Sequence, residues 1–471
     1  MVNFFKYTDP LRIISLLILL IIFRLPFYIA GIPLTYPELD WLTIGEKLAD
    51  GFTLYRDVWT SLEPLSAIVY SSLITLAGKS ALTLRVSGTI LVYLQAIFFN
   101  YMCNRMSLYN EKSSYPALFY ILFSCLFLDF YSLPPVLLSL TFLLPAIYLT
   151  IIQIKYKTSD EGLLYLGLFL SLTALCYAAS VILLPFFIFI LLLFTTLSFR
   201  KVLLTLTGFL LPLCVLCLYH VYIGSFEDLI YNLFLSLTTL PTTHYTSYTL
   251  LFQVASLPLT LLLISFIAFS NRSGYINFQF NGVKSMLIIL LGGICAILIS
   301  HVVSPSLLYI LVPSFAFFSA HVFLLISGKI IPNILLWLSL LATPFMNLIA
   351  LNQKSPDTLK TLYLQPAADK PEITMEGKKV LVVGDEPAFY LRSKLATPYY
   401  DWELSKRHFD DFDNMKNIAA LHRNFRKDLP EVIIDKENRM EQIFYRIPVL
   451  AKEYRKLDKE PVYLLKKGHG D

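Results

Sequence analysis

Charge is scarce in this chain. Only 15% of its residues are Asp, Glu, Lys or Arg, and 56% are hydrophobic. A water-soluble globular protein has no use for that much apolar surface. The scarcity is also uneven: apolar runs fill the chain up to Asn352, and charge is dense afterwards. Long basic runs are missing. The net charge is +5 and the Lys and Arg residues are dispersed, which excludes a nucleic-acid footprint. Cysteine offers no disulfide framework. Cys103, Cys125, Cys176, Cys214, Cys217 and Cys295 all lie in or beside apolar runs, and the charged tail has none. Cys214 and Cys217 form a CxxC one helical turn apart, where small apolar residues suit lipid or core better than zinc or redox chemistry. Phosphate-cradling glycine loops are absent too, since Gly384 stands alone after a strand-like run.

What the sequence does have is a series of apolar runs of spanning length. About eleven crossings are expected, at roughly 11–30, 83–104, 114–130, 134–153, 162–178, 180–198, 202–222, 250–270, 285–303, 307–327 and 331–351. The run 65–78 is too short and is expected to lie at the interface. Lys6 and Arg12 precede the first crossing, which reads as an uncleaved anchor with a cytoplasmic N-terminus. Loops with Arg105 and Lys112, Lys155 and Lys157, Arg200 and Lys201, Arg272 and Lys284, and Lys329 alternate with loops that have no Lys or Arg. The basic loops are therefore assigned to the cytoplasm. An odd number of crossings puts the tail on the other face, with the loop 31–82.

That loop gathers Glu38, Asp40, Glu46, Asp50, Asp57 and Glu63 between apolar runs. Acidic side chains held at a bilayer surface suggest a cation, a proton to move, or a hydroxyl to deprotonate. The expected domains are 1–352, a membrane domain that includes the loop 31–82, and 353–471, a small soluble α/β domain. The Pro-rich stretch 355–373 is expected to link them. In the tail, the run 378–387 reads as a buried strand and turn, 388–395 as a short helix, and 430–435 and 461–467 as further strands.

Arg24-Leu25-Pro26 at the end of the first span, Glu38, Gly51, Tyr55-Arg56-Asp57, Glu63-Pro64-Leu65, Gly78 and Arg85 together resemble the GT-C glycosyltransferases. The nearest in style are bacterial protein mannosyltransferases and aminoarabinose transferases. Asp129 and the α/β tail extend the resemblance over most of the chain. It implies a GT-C-like polytopic helical fold in a bacterial inner membrane, with the tail periplasmic. It also implies transfer of a sugar from a polyprenyl-phosphate donor to a glycan, lipid or protein acceptor on the periplasmic side. Such a reaction needs a carboxylate to take the acceptor's proton and positive charge on the departing phosphate.

The resemblance makes Glu38 the candidate base, although the family's usual Asp before it is Pro37 here. Asp40 is near but differently spaced, and Glu38 could instead cap the following helix. Asp57 fits a position near the acceptor or a divalent metal, or else a pair with Arg56. Arg24, Arg85, Asp129, Glu63 and His301 are the candidate substrate-binding residues. Their plainer roles are snorkelling, interfacial anchoring and helix capping. Family members often carry Lys where this chain has Tyr177, and a basic residue near His301 and Ser304. The loop 224–249, rich in aromatics and hydroxyls, reads as a lid or an interfacial helix. The competing reading is a GT-C-like scaffold without catalysis, an accessory subunit of an envelope or secretion complex.

Overall fold

A computed structural model describes residues 2–7, 9–156, 160–196, 198–235, 243–270, 275–326, 330–352, 362–364, 375–396, 398–410, 415–457 and 461–466. Lys157, Arg272, Lys329, most of the stretch 355–373 and residues 236–242 of the loop 224–249 lie outside these. The described chain is mainly helical. Eight helices are long and apolar enough to cross a membrane: Pro10–Ala30, Ala81–Met106, Pro135–Tyr156, Phe199–Tyr222, Tyr248–Phe269, Asn277–Leu298, Pro305–Leu325 and Ile330–Leu348. Each matches one of the eleven expected crossings.

The other three expected crossings fall on shorter elements among the described residues. Residues 114–130 hold the nine-residue helix Tyr115–Phe123 and the 3-10 turn Leu128–Tyr131. The helix Asp160–Cys176 has 17 residues, about 26 Å at 1.5 Å per residue. The helix Leu183–Phe194 follows a 3-10 turn, Ala178–Ile182. Extended backbone at Phe127 and at Tyr177 interrupts these runs. Hydropathy averages over such breaks, because the interrupting residues are apolar too. The interfacial helix is Pro64–Ala77, 14 residues with Pro at its start and Gly78 at its end.

By contacts, the chain divides into two compact units. The first comprises Met1–Pro33, Leu82–Leu216 and Thr242–Leu362, and the second Leu34–Ala81, Cys217–Pro241 and Tyr363–Asp471. The acidic loop thus groups with the C-terminal residues.

In the first unit, glycines let backbones approach closely. A Cβ on Gly167 would lie 2.0 Å from the Thr205 carbonyl oxygen, and one on Gly208 would lie 2.1 Å from that of Leu164. Two strands of two residues, β1 (Thr243–His244) and β2 (Val302–Val303), pair in parallel.

The second unit carries a five-stranded sheet built from β3 (Lys379–Val383), β4 (Lys394–Leu395), β5 (Val432–Asp435), β6 (Tyr454–Lys456) and β7 (Val462–Leu465), in the order β4-β3-β5-β7-β6. β3 pairs in parallel with β4 and β5, whereas β7 is antiparallel to β5 and β6. β3, β5 and β7 realise the three expected strands. The expected helix 388–395 is instead a 3-10 turn, Pro387–Leu391, followed by β4. Helices Trp402–Asp410 and Met415–Lys427 pack Trp402, Phe409, Leu421 and Phe425 into a core with Leu381, Val383 and Ile433. Trp59, from the acidic loop, belongs to the same core.

Candidate functional site

In the first unit, Arg24 is 1% exposed. Its Nη1 donates to Thr89 Oγ1 at 3.0 Å. Its Nη2 donates to the carbonyls of Ser124 (2.9 Å) and Phe130 (3.0 Å) and to the Tyr309 hydroxyl (3.1 Å). Between the helices Tyr115–Phe123 and Pro135–Tyr156 the backbone leaves the α-helix, and its carbonyls lose their usual partners. Buried in protein, they need other donors. Asn347 Nδ2 donates to the Cys125 carbonyl at 2.7 Å, and the Tyr28 hydroxyl to that of Tyr131 at 3.1 Å. Arg24 therefore acts here as a multidentate cap on an interrupted helix.

Arg85 has a similar task. It donates to the carbonyls of Ile32 (3.0 Å) and Pro33 (3.2 Å), just past the end of the helix Pro10–Ala30. Asp129 Oδ2 accepts the Ser306 N–H at 2.7 Å, at the start of the 3-10 segment Pro305–Leu311. A carboxylate there satisfies an otherwise unpaired helix-start N–H. His301 is half-buried, and its carbonyl accepts the Thr243 N–H at 2.7 Å.

In the second unit, Glu38 is 2% exposed and lies at the third position of the helix Tyr36–Ala49. Thr35 and Glu38 form a capping box. Glu38 Oε2 accepts the Thr35 N–H at 3.0 Å, and the Glu38 N–H donates to Thr35 Oγ1 at 3.2 Å. The capping role is thus realised.

Asp57 is paired as well. Its carboxylate accepts the Thr53 N–H at 2.9 Å, both Arg56 Nε and Nη2, and Lys427 Nζ at 2.5 Å. Burial opposes its charge, but these hydrogen bonds prevail and hold the carboxyl below its ordinary range. Tyr55 adopts φ 63° in this turn, with its hydroxyl donating to the Leu62 carbonyl at 2.8 Å. Glu63 is half-buried and stands at the N-cap of Pro64–Ala77, where its side chain makes no capping hydrogen bond.

Asp40 differs from these. It is half-buried, and the Tyr400 hydroxyl donates to its Oδ1. Burial pushes its carboxyl up to about 7; the Tyr400 hydrogen bond opposes this, while the nearby Asp401 and Asp385 charges add to it. Burial likewise pushes Asp401 up to about 6.

The candidates therefore divide between the units. Glu38, Asp57 and Glu63 belong to the second, and Arg24, Arg85, Asp129 and His301 to the first. Sequence reasoning missed the acidic loop's C-terminal partners. Lys47 Nζ donates to the Leu395 carbonyl at 2.9 Å and pairs with Asp428, which also pairs with Lys379 at 2.8 Å. The two ammoniums hold Asp428 below the usual carboxylate range against the effect of burial. One signal was available: Lys47 falls three residues after Ile44 and six after Trp41, on the apolar side of its helix. The Tyr399-Tyr400-Asp401 run carries no such signal. Among the described residues, no group of three or more His, Cys, Asp or Glu side chains could hold a metal ion.

No family model and no curated protein matches this chain. Among solved structures it is similar to the archaeal oligosaccharyltransferase AglB from Archaeoglobus fulgidus, in complex with an inhibitory peptide and a dolichol-phosphate. That likeness covers 90% of this chain and 68% of the other, at 12% identity and a TM-score of 0.44.

Proposed function

We propose that this chain is an integral-membrane glycosyltransferase that takes a sugar from a polyprenyl-phosphate donor and delivers it to an acceptor outside the cytoplasm. The observation that carries this reading is Asp40, a half-buried carboxylate of the acidic loop that accepts the Tyr400 hydroxyl and whose carboxyl burial pushes up to about 7. A general base works best when its pKa is close to the working pH. The acceptor oxygen attacks the anomeric carbon and the sugar–phosphate C–O bond breaks. The bonding pair leaves with the prenyl phosphate, and Asp40 takes the hydroxyl proton. Glu38 holds the helix that presents Asp40. Tyr400 tunes Asp40 through its hydrogen bond without touching the acceptor.

A second reading, the non-catalytic scaffold, is favoured by a different observation. Glu38, Asp57, Arg24 and Arg85 each have structural partners within their own unit. One assay separates the two: transfer from a radiolabelled polyprenyl-phosphate sugar in membranes. The catalytic reading expects Asp40→Asn to lose about 10²–10⁴ in rate. It also expects Glu38→Gln to lose less, mainly through stability. Full activity in Asp40→Asn removes Asp40 as the base. No transfer by the parent chain across a panel of donors and acceptors favours the scaffold.

A further inference from the structure

Trp59 is 4% exposed, and its indole Nε1 has no hydrogen-bond partner. The same is true of Arg407 Nε and His408 Nδ1, on the helix Trp402–Asp410. These groups surround one another. The Arg407 guanidinium lies 3.5 Å from the Tyr231 ring centroid and 4.8 Å from that of Trp59. The His408 ring lies 4.5 Å from Trp59. Among the described residues, the carboxylate paired with Arg407 is Asp228 at 3.9 Å, which balances charge but is too long for a hydrogen bond. Buried polar groups are rarely left unpaired, so a cluster of them calls for an acceptor.

The donors specify that acceptor. Indole N–H and Arg Nε can only donate. Burial, with Arg407 adding, pushes the His408 imidazole down to about 4, so near pH 7 it is neutral, and its Nδ1–H tautomer supplies one N–H. One fixed positive charge beside unpaired N–H donors favours an oxyanion over a neutral hydroxyl. Arg407 is 31% exposed and gives access from solvent.

We propose that Trp59, Arg407 and His408 form a binding site for an oxyanion, the phosphate or carboxylate group of a ligand, with Tyr231 stacked on the guanidinium. The proposal does not depend on the transferase reading.

The test uses the full chain in detergent at constant ionic strength, with chloride as the control anion, and follows the thermal unfolding midpoint. Inorganic phosphate, acetate and a short-chain polyprenyl phosphate are the probes. At least one should raise the midpoint saturably, where chloride does not. Arg407→Gln should weaken that effect at least tenfold. Trp59→Phe, which keeps the ring and removes one donor, should weaken it several-fold and serves if the first variant does not fold. Tighter binding of the polyprenyl phosphate than of inorganic phosphate would place the anion on a lipid; equal binding would make it a free anion. No saturable response to any probe, or unchanged affinity in both variants, overturns the proposal.

Discussion

Replacing Arg24 by Met tests whether the guanidinium serves the fold or a ligand. Met keeps much of the volume and removes every donor. The Ser124 and Phe130 carbonyls then lose a charged partner each, in a buried segment outside the α-helical ladder. Leaving a buried acceptor short of its donor costs about 1–3 kcal/mol. Two such losses come to roughly 2–5 kcal/mol, partly offset by the Tyr309 hydroxyl, which also reaches the Phe130 carbonyl at 2.5 Å. Even the lower figure shifts the folding equilibrium about 30-fold. Arg24→Lys should recover little, because one ammonium cannot reproduce the planar fork. Denaturant unfolding in detergent reads the effect, and binding of a polyprenyl phosphate is measured alongside. Both variants falling within about 0.5 kcal/mol of the parent, with lipid binding lost, would refute this account. Arg24 would then be the phosphate contact that its position in the sequence implied.

Other expectations follow from the second unit and from the helix contacts. Asp40 has a folded pKa of about 7, above its ordinary 3.8, so its contribution is full below the ordinary value and is lost as pH rises through 7. Asp40→Asn should accordingly flatten the fall in unfolding midpoint between about pH 4 and pH 7. Tyr400→Phe removes the hydrogen bond that holds Asp40 down, so the acidic limb of transferase activity should move to higher pH; an unchanged limb would count against Asp40 as base. Asp428→Asn leaves Lys47 buried without a counter-charge and should cost about 3–5 kcal/mol, read by urea unfolding. Gly167→Ala forces the helix Asp160–Cys176 away from the Thr205 carbonyl and should lower thermal stability by about 1–3 kcal/mol, whereas Gly51→Ala meets no neighbouring atom and is strained only through its backbone.

Much of the fold was legible because lipid imposes one rule on every span. Apolar runs of twenty residues become helices, and eight of the eleven expected crossings are long enough. The interruptions at Phe127 and Tyr177 escaped because they are made largely of apolar residues, and what marks the first is a distant arginine, Arg24. The strands β3, β5 and β7 were readable as short branched runs, whereas β4 and β6 are too short to leave a pattern. The acidic loop was conspicuous, and the capping alternative for Glu38 was visible as an acid at a helix start; the structure adds Thr35 as its partner. Its C-terminal partners were not visible. Asp57 meets Lys427 across 370 residues and Lys47 meets Asp428 across 381, separations over which local pattern says nothing.

Those separations also set a clock. At synthesis rates of about 5–20 residues per second, Lys47 leaves the ribosome roughly 20–75 s before Asp428 exists. Over that interval the acidic loop lacks Lys427 and Asp428 and the core to which Trp59 belongs. Residues 402–428 are made long after the loop they complete, so truncations that remove them should reach back and unsettle that loop.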